Sequence, residues 1–430
     1  MRRTVRASAL LAIALSPCVA IAQSTATAPP SGIVNGFDVS RLARIDRALQ
    51  QYVDSNEIAG AVALVLRDGR PVYQRAVGWA DKESRKPMTA DAIFRIASQT
   101  KAVTSTAIMI LIEEGRIGLG DPVSKFIPQF AHTTVATQAD TGRVITPAKR
   151  EITIRDLLTH TSGISYGVDR VVAPLYAPNG LGPAAGWGWY TADKNEPICT
   201  TMERLATLPF VAQPGERWVY GYSVDVLGCV VERASGMALD QFFRTRIFEP
   251  LGMKDTFFFA PADKKQRLVT VYMNDSANHL QRAPAGPKGQ GDYVEGPRRN
   301  FSGGAGLLST AHDYARLLQM LLNGGQLDGV RLLSPKTVAL MTTNQVGQLF
   351  DAVSPGRGFS LGFATTDRLG GNGFTSVGSY GWGGAYASIY EVDPKEHLVI
   401  VFMLNQLPNR TDIDDKFLTL VYQAVVEPKS

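Results

Sequence analysis

Ser98 and Lys101, spaced Ser-x-x-Lys in Ser98-Gln99-Thr100-Lys101, are the residues whose types and spacing most directly suggest chemistry. A serine hydroxyl attacks an acyl carbon when a nearby base takes its proton, and a lysine serves as that base only when neutral. The tetrapeptide alone is weak, because a chain of 430 residues carries about one such match by chance. Its context is stronger. Phe94-Arg95-Ile96-Ala97 leads in and the apolar run Ala102 to Ile112 follows, so Ser98 is expected to open a buried helix with Lys101 on the same face one turn on. Burial disfavours an ammonium there, and the positive end of the helix dipole disfavours it further. The plainer alternative makes Ser98 an N-cap and Lys101 a solvated first-turn residue.

A second serine competes. Gly163-Ile164-Ser165-Tyr166-Gly167 fits the Gly-x-Ser-x-Gly elbow, which places its serine between a strand and a helix. Here a helical Leu157-Leu158 segment precedes it and a loop with Pro174, Pro178 and Gly180 follows, so the context is wrong on both sides. The histidines, His132, His160, His279, His312 and His397, are scattered, with no two on one helical turn. No metal and no cofactor is expected.

The elements that must position Ser98 come from both ends of the chain. Leu42, Ile45, Leu49 and Val53 recur at helical spacing, then Ala61 to Leu66 reads as a buried strand, and Asp68-Gly69 turns it into a second strand, Val72 to Val77. At the far end, Tyr386 to Val392 and Leu398 to Leu404 read as strands around Asp393-Pro394-Lys395, followed by a helix from Ile413 to Val426. Between them helices are expected at Thr100 to Glu114, Thr153 to Thr159, Thr201 to Leu208, Val224 to Ala234, Leu239 to Ile247, Ala311 to Asn323 and Pro335 to Thr342. The expected fold class is therefore α/β (α+β): a sheet built from both chain ends, flanked by helices, with a mostly helical domain inserted. The sheet part takes in residues of about 39–97 and 346–430, and the helical part about 98–345. Two loop-rich stretches, Ser165 to Glu196 and Asp275 to Phe301, are candidates for binding loops.

Further motifs share the pattern of Ser98 and Lys101. Tyr220-Gly221-Tyr222-Ser223-Val224-Asp225-Val226-Leu227-Gly228 follows Pro214-Gly215-Glu216-Arg217-Trp218, and Tyr380-Gly381-Trp382-Gly383-Gly384-Ala385-Tyr386 precedes the penultimate strand. With Glu151 to Gly163 and Gly303 to Tyr314, these stretches resemble, in order and over roughly Val39 to Asn405, the class C β-lactamases and penicillin-binding-protein-like serine hydrolases. The pattern is most similar to that of family VIII carboxylesterases. The resemblance implies a β-lactamase/transpeptidase-like fold with an antiparallel sheet. It also implies Ser98 as nucleophile, Lys101 and Tyr220 as a coupled base, and the backbone N–H groups of Ser98 and Ala385 as oxyanion hole.

Two departures bear on substrate. Tyr222 stands where the β-lactamase second motif has Asn, and Trp382 where the third has Lys, which removes a cation for a substrate carboxylate. Trp382, Gly383, Gly384, Tyr222, Tyr386, Trp187 and Trp189 are the candidate substrate-binding residues, suiting an uncharged acyl group, while an arginine such as Arg357 could restore the cation. The resemblance thus implies hydrolysis of small-molecule carboxylic esters, with β-lactamase, D-amino-acid peptidase or acyl-transferase activity as alternatives within the superfamily. A penicillin-binding sensor that does not turn over is the alternative outside catalysis.

Composition fits an exported globular enzyme. Met1-Arg2-Arg3, an apolar stretch from Ala9 to Val19 and Ala20-Ile21-Ala22 have the three parts of a secretory signal over 1–22. A flexible segment over 23–38 and a hydrolase domain over 39–430 follow. The apolar stretch is too short to span a bilayer, so no stable membrane insertion is expected after cleavage, and the protein is placed in the periplasm or outside the cell. Removing three arginines and no acid lowers the formal charge from +5 to +2, which argues against a nucleic-acid partner. Oligomeric state is not legible. Cys199 and Cys229 suit a disulfide in an oxidising compartment, and Cys229, in the apolar run Val224 to Val231, equally suits a buried thiol.

Overall fold

The computed structural model describes residues 32–140, 142–183, 191, 193–284 and 290–429. The signal segment 1–22, Trp187 and Trp189 lie outside the described residues.

The first helix, α1 (Val39–Asp54), begins where Asp38 accepts from the N–H groups of Ser40 and Arg41, and it buries Leu42, Ile45, Leu49 and Tyr52. Two strands follow, β1 (Gly60–Arg67) and β2 (Arg70–Asp81). Asp68 and Gly69 between them both take positive φ, 53° and 72°, as a two-residue hairpin turn requires. The second strand outruns its expected span of residues 72–77 because a short strand, β3 (Lys86–Pro87), pairs with its far end. The C-terminal part supplies β4 (Arg357–Phe359), β5 (Ala364–Thr366), β6 (Tyr380–Gly383), β7 (Ile389–Asp393) and β8 (Leu398–Met403). All eight form one antiparallel sheet in the order β4-β5-β6-β7-β8-β1-β2-β3.

The two ends of the chain meet at the centre of this sheet, where Val401 of β8 lies opposite Leu64 of β1. All six residues of β8 are buried, as expected for a strand covered on both faces. One face packs Ala63, Val65, Ile400 and Phe402 on α1 and on the last helix, Ile413–Tyr422. The other sends Val62, Leu64, Val399 and Val401 into the main core, shared with α2 (Thr100–Glu113) and the inserted helices.

Three expectations need correction. The strand expected over Tyr386 to Val392 starts three residues later, at Ile389, and it pairs through Tyr390 and Trp382 with a strand that was not foreseen, β6, formed by Tyr380–Gly383 of the glycine-rich motif. Strands β4 and β5 were not foreseen, being three residues each. A hairpin of Thr134–Ala139 with Gly142–Pro147 was also missed, because most of its side chains are exposed and leave no alternating apolar signal.

Cys199, in the helix Ile198–Ala206, and Cys229, in the helix Ser223–Ser235, form a disulfide with Cα atoms 4.9 Å apart, which settles the open alternative. Two neighbouring helices of the inserted region are thereby tied together. Reduction of the unfolded protein is expected to raise its mass by a hydrogen pair, and Cys229→Ser to lower unfolding stability by about 2–4 kcal/mol in denaturant titration. An unchanged mass would mean that both cysteines are free thiols.

Candidate active site

Ser98 does not open the α-helix. It occupies the middle of a 3-10 turn, Ala97–Gln99, that runs into α2, and Gln99 makes no side-chain cap. Ala97, immediately before it, takes φ +44°, a left-handed conformation that costs a non-glycine residue roughly 1–2 kcal/mol. The surrounding packing holds that turn. Gly384 approaches so closely that a Cβ there would lie 2.6 Å from the Ile96 carbonyl oxygen, so only glycine lets the third motif reach the turn of Ser98.

Lys101 is 2% exposed. Its Nζ lies 3.1 Å from Ser98 Oγ, 3.0 Å from Tyr166 Oη and 2.8 Å from the Gly304 carbonyl oxygen. Three acceptors match the three N–H bonds of an ammonium. As a neutral amine the same nitrogen can keep two donations and accept the Ser98 proton, so proton transfer needs no rearrangement of the pocket. The Gly304 carbonyl is fixed by two sets of bonds. Asp225 accepts from the Ser302 hydroxyl and the Gly304 N–H, and Thr104 and Thr100 of α2 bond the Gly303 carbonyl and the Leu307 N–H. Burial pushes the Asp225 carboxyl above its usual range, opposed by the Ser302 hydroxyl and the charge of Lys101. Burial likewise raises Tyr166 well above an ordinary phenol, which keeps it protonated beside Lys101.

Tyr220 lines the same cleft as Ser98, a space of about 410 Å³. Lys101 Nζ sits 4.7 Å from the centre of its ring, and the phenol with which Lys101 shares a hydrogen bond is Tyr166. The Tyr220 hydroxyl instead accepts from Trp382 Nε1 at 3.1 Å. Trp382 thereby fixes the position of the Tyr220 hydroxyl in the cleft with a neutral donor. The Tyr220 ring stacks on Trp218 at 5.6 Å and packs against His160 at 4.8 Å. Burial, with the charge of Lys101, holds His160 well below the usual imidazole range, and among the described residues neither of its ring nitrogens has a hydrogen-bond partner.

Of the other candidate residues, Trp382, Gly383, Gly384 and Ala385 line the cleft beside Ser98. The Ala385 N–H donates to no group among the described residues and is free to meet an oxyanion. Tyr222 and Tyr386 do not line it. Tyr222 is buried with its hydroxyl accepting from the Gly182 N–H, and Tyr386 lies in a core with Ile93 and Tyr293. Both side chains are thus absent from the aromatic wall expected for the substrate. Ser165 is buried with Oγ accepting from the Gly167 N–H, two residues on in its own turn. The rejected elbow nonetheless delivers the neighbouring Tyr166, which sequence reasoning missed. Gly221 carries the signal, since a Cβ there would come within 2.3 Å of the Ile164 carbonyl oxygen, pinning the second motif to that turn. Among the described residues no group of His, Cys, Asp and Glu is arranged to hold a metal ion, and no helix is long and apolar enough to cross a membrane.

The chain belongs to the Beta-lactamase family, whose profile matches residues 45–424. Its fold is β-lactamase/transpeptidase-like, and at the level of the superfamily it is a serine hydrolase. Protein Rv1367c of Mycobacterium tuberculosis is 36% identical over 380 residues, 84% of this chain and 89% of that protein. Esterase EstB of Burkholderia gladioli is 32% identical over 381 residues, 85% of this chain and 91% of its own. The solved structure of EstCE1, described as a hydrolase with promiscuous acyltransferase activity, is similar at TM-score 0.72 and 29% identity, over 90% of this chain and 98% of that one.

If Tyr166 holds Lys101 in line with Ser98, Tyr166→Phe should slow covalent labelling by a fluorophosphonate about tenfold, while Ser165→Ala labels like the wild type. Equal rates for wild type and Tyr166→Phe would make Tyr166 a packing residue only.

Proposed function

We propose that this chain hydrolyses carboxylic esters of small or medium acyl groups through an acyl-enzyme on Ser98. The observation that carries the reading is the 3.1 Å contact between Lys101 Nζ and Ser98 Oγ at the wall of an open cleft. In this reading Ser98 Oγ attacks the ester carbonyl as its proton passes to Lys101. The N–H groups of Ser98 and Ala385 hold the oxyanion, and the alcohol leaves with a proton returned through Lys101 or Tyr220. Water then attacks the acyl-enzyme and releases the acid, freeing Ser98. Two features favour esters over β-lactams: Trp382 in the place of a cation, and the similarity to an esterase over 85% of the chain. β-Lactam or D-amino-acid peptide cleavage is the alternative, since one fold serves many substrates. The promiscuous acyltransferase activity of the similar EstCE1 makes an alcohol the second acceptor beside water.

The test is direct. The purified mature chain should turn over para-nitrophenyl esters of graded chain length faster than a chromogenic cephalosporin, and Ser98→Ala should lose both turnover and fluorophosphonate labelling while remaining folded. A primary alcohol added to the same assay measures transfer against hydrolysis. Labelling that persists in Ser98→Ala, or a cephalosporin preferred over every ester, overturns the reading.

We further propose that the protein acts in the periplasm or outside the cell, a placement supported by the signal-like residues 1–22 and by the Cys199–Cys229 disulfide. Mass spectrometry of the exported protein should find Gln23 at or near its N-terminus. A mass that retains residues 1–22, or a lipid on Cys18, contradicts this.

A further inference from the structure

The cleft of Ser98 continues past Trp382 to polar side chains that acyl transfer does not use: Arg357 of β4, Asn372, and Glu391 of β7. Arg357 is the one cation among the described residues that line it, against the carboxyls of Glu391, Asp414 and Asp415. Its guanidinium makes no hydrogen bond and no ion pair among the described residues, and its Nε is shut off from water. A guanidinium with five N–H donors and no acceptor is costly to leave unmatched. Glu391, its opposing charge, does not close on it. One Glu391 oxygen accepts from Asn372 at 3.2 Å, Ser379 lies beside the carboxyl, and the other oxygen meets the distance and angle of a hydrogen bond with no group among the described residues. Gly381, on the neighbouring strand, keeps the space open, because a Cβ there would come within 2.4 Å of the Glu391 carboxylate.

We propose that Arg357 anchors an anion subsite in the Ser98 cleft, which takes a carboxylate carried by the ester substrate, with Glu391 as the counter-charge that tunes it. This rests on reading the cleft as the site of ester hydrolysis. A planar guanidinium pairs with a carboxylate through two parallel hydrogen bonds, and a half-buried setting strengthens them. The subsite restores at another position the cation that Trp382 displaces.

The neighbouring charges give the subsite a pH dependence. Burial pushes Glu391 up to about 7, with Arg357 pulling the other way. The groups facing Glu391 are Arg357 from β4, Asn372, Ser379 and Tyr380 from β6 and its approach, Tyr422 from the last helix, and Tyr390 and Asp393 on its own strand. The tyrosines are all raised by burial and stay neutral. Below neutrality Glu391 is uncharged and no longer opposes the Arg357 charge, whereas above it the ionised carboxylate offsets that charge more fully. Substrate carboxylates are ionised throughout, above about pH 5. Preference for anionic esters should therefore fall as pH rises through about 7.

Two matched pairs of probes test this: mono-para-nitrophenyl adipate against its methyl ester, and para-acetoxybenzoate against methyl para-acetoxybenzoate. Arg357→Gln should lower the anionic-to-neutral ratio of kcat/KM by about tenfold or more for at least one pair. Glu391→Gln should raise the ratio at alkaline pH and abolish its fall between about pH 6 and 8. Shifts in opposite directions cannot both come from damage to the fold. Binding of mono-para-nitrophenyl adipate to the Ser98→Ala protein, measured by calorimetry, keeps the subsite testable apart from turnover, and there Arg357→Gln should weaken binding by about tenfold. A wild type that hydrolyses none of the probes defeats the esterase reading, with the calorimetry still deciding the subsite. Ratios and affinities unmoved by Arg357→Gln overturn the subsite.

Discussion

A lysine nitrogen held away from water by three oxygen atoms is the constraint around which this molecule is arranged. Lys101 comes from the first turn of α2, Tyr166 from the turn after the helix Ile154–Leu158, and the Gly304 carbonyl from a strap clamped by Asp225, Thr100 and Thr104. Each partner comes from a different stretch of chain, so the packing of the inserted helices against α2 becomes a condition on the chemistry. An unmatched N–H of a buried lysine would cost on the order of 1–3 kcal/mol, enough to pull the side chain out of line. The strap glycines fit the same demand, since a Cβ at Gly304 would strike the Asp225 carboxylate.

The far wall of the cleft works by a different principle. Trp382 reaches Tyr220 with an N–H while its ring packs with Phe350, Phe359 and Trp218, so one side chain both positions the tyrosine and walls the cleft. The cleft thus has a neutral, aromatic side and a charged recess beyond it. The two are joined by β6, whose glycines leave room for a ligand on one side and for the Glu391 carboxylate on the other.

Much of this was legible in the sequence, and the failures have physical causes. Ser98 and Lys101 sit three residues apart, so their contact is encoded locally. The two-ended sheet was legible because β1 and β8 are continuous apolar runs. Tyr166 was invisible as a partner of Lys101 because 65 residues separate them and no local pattern encodes their meeting. Tyr222 and Tyr386 were assigned to the pocket from motif position alone, which says nothing of the direction in which a side chain points. The cysteine pair could not be decided because an apolar run suits a buried thiol and a buried disulfide equally. The short strands β4 and β5 fell below the length at which periodicity can be read.

The antiparallel pairing of β1 with β8 has a consequence for how the protein is made. Leu64 finds its neighbour Val401 only after more than three hundred intervening residues have left the ribosome. The same holds for the Gly384 contact with the turn of Ser98. Until then β1 lacks its central neighbour in the sheet, and the hairpin of β1 and β2 presents an unpaired edge. Closing so long a loop is slow, and apolar surface stays exposed until it closes. The cleft beside Ser98 is therefore completed by the last part of the chain to be made, since Trp382, Gly383, Gly384 and Ala385 line it together with the earlier-made Ser98.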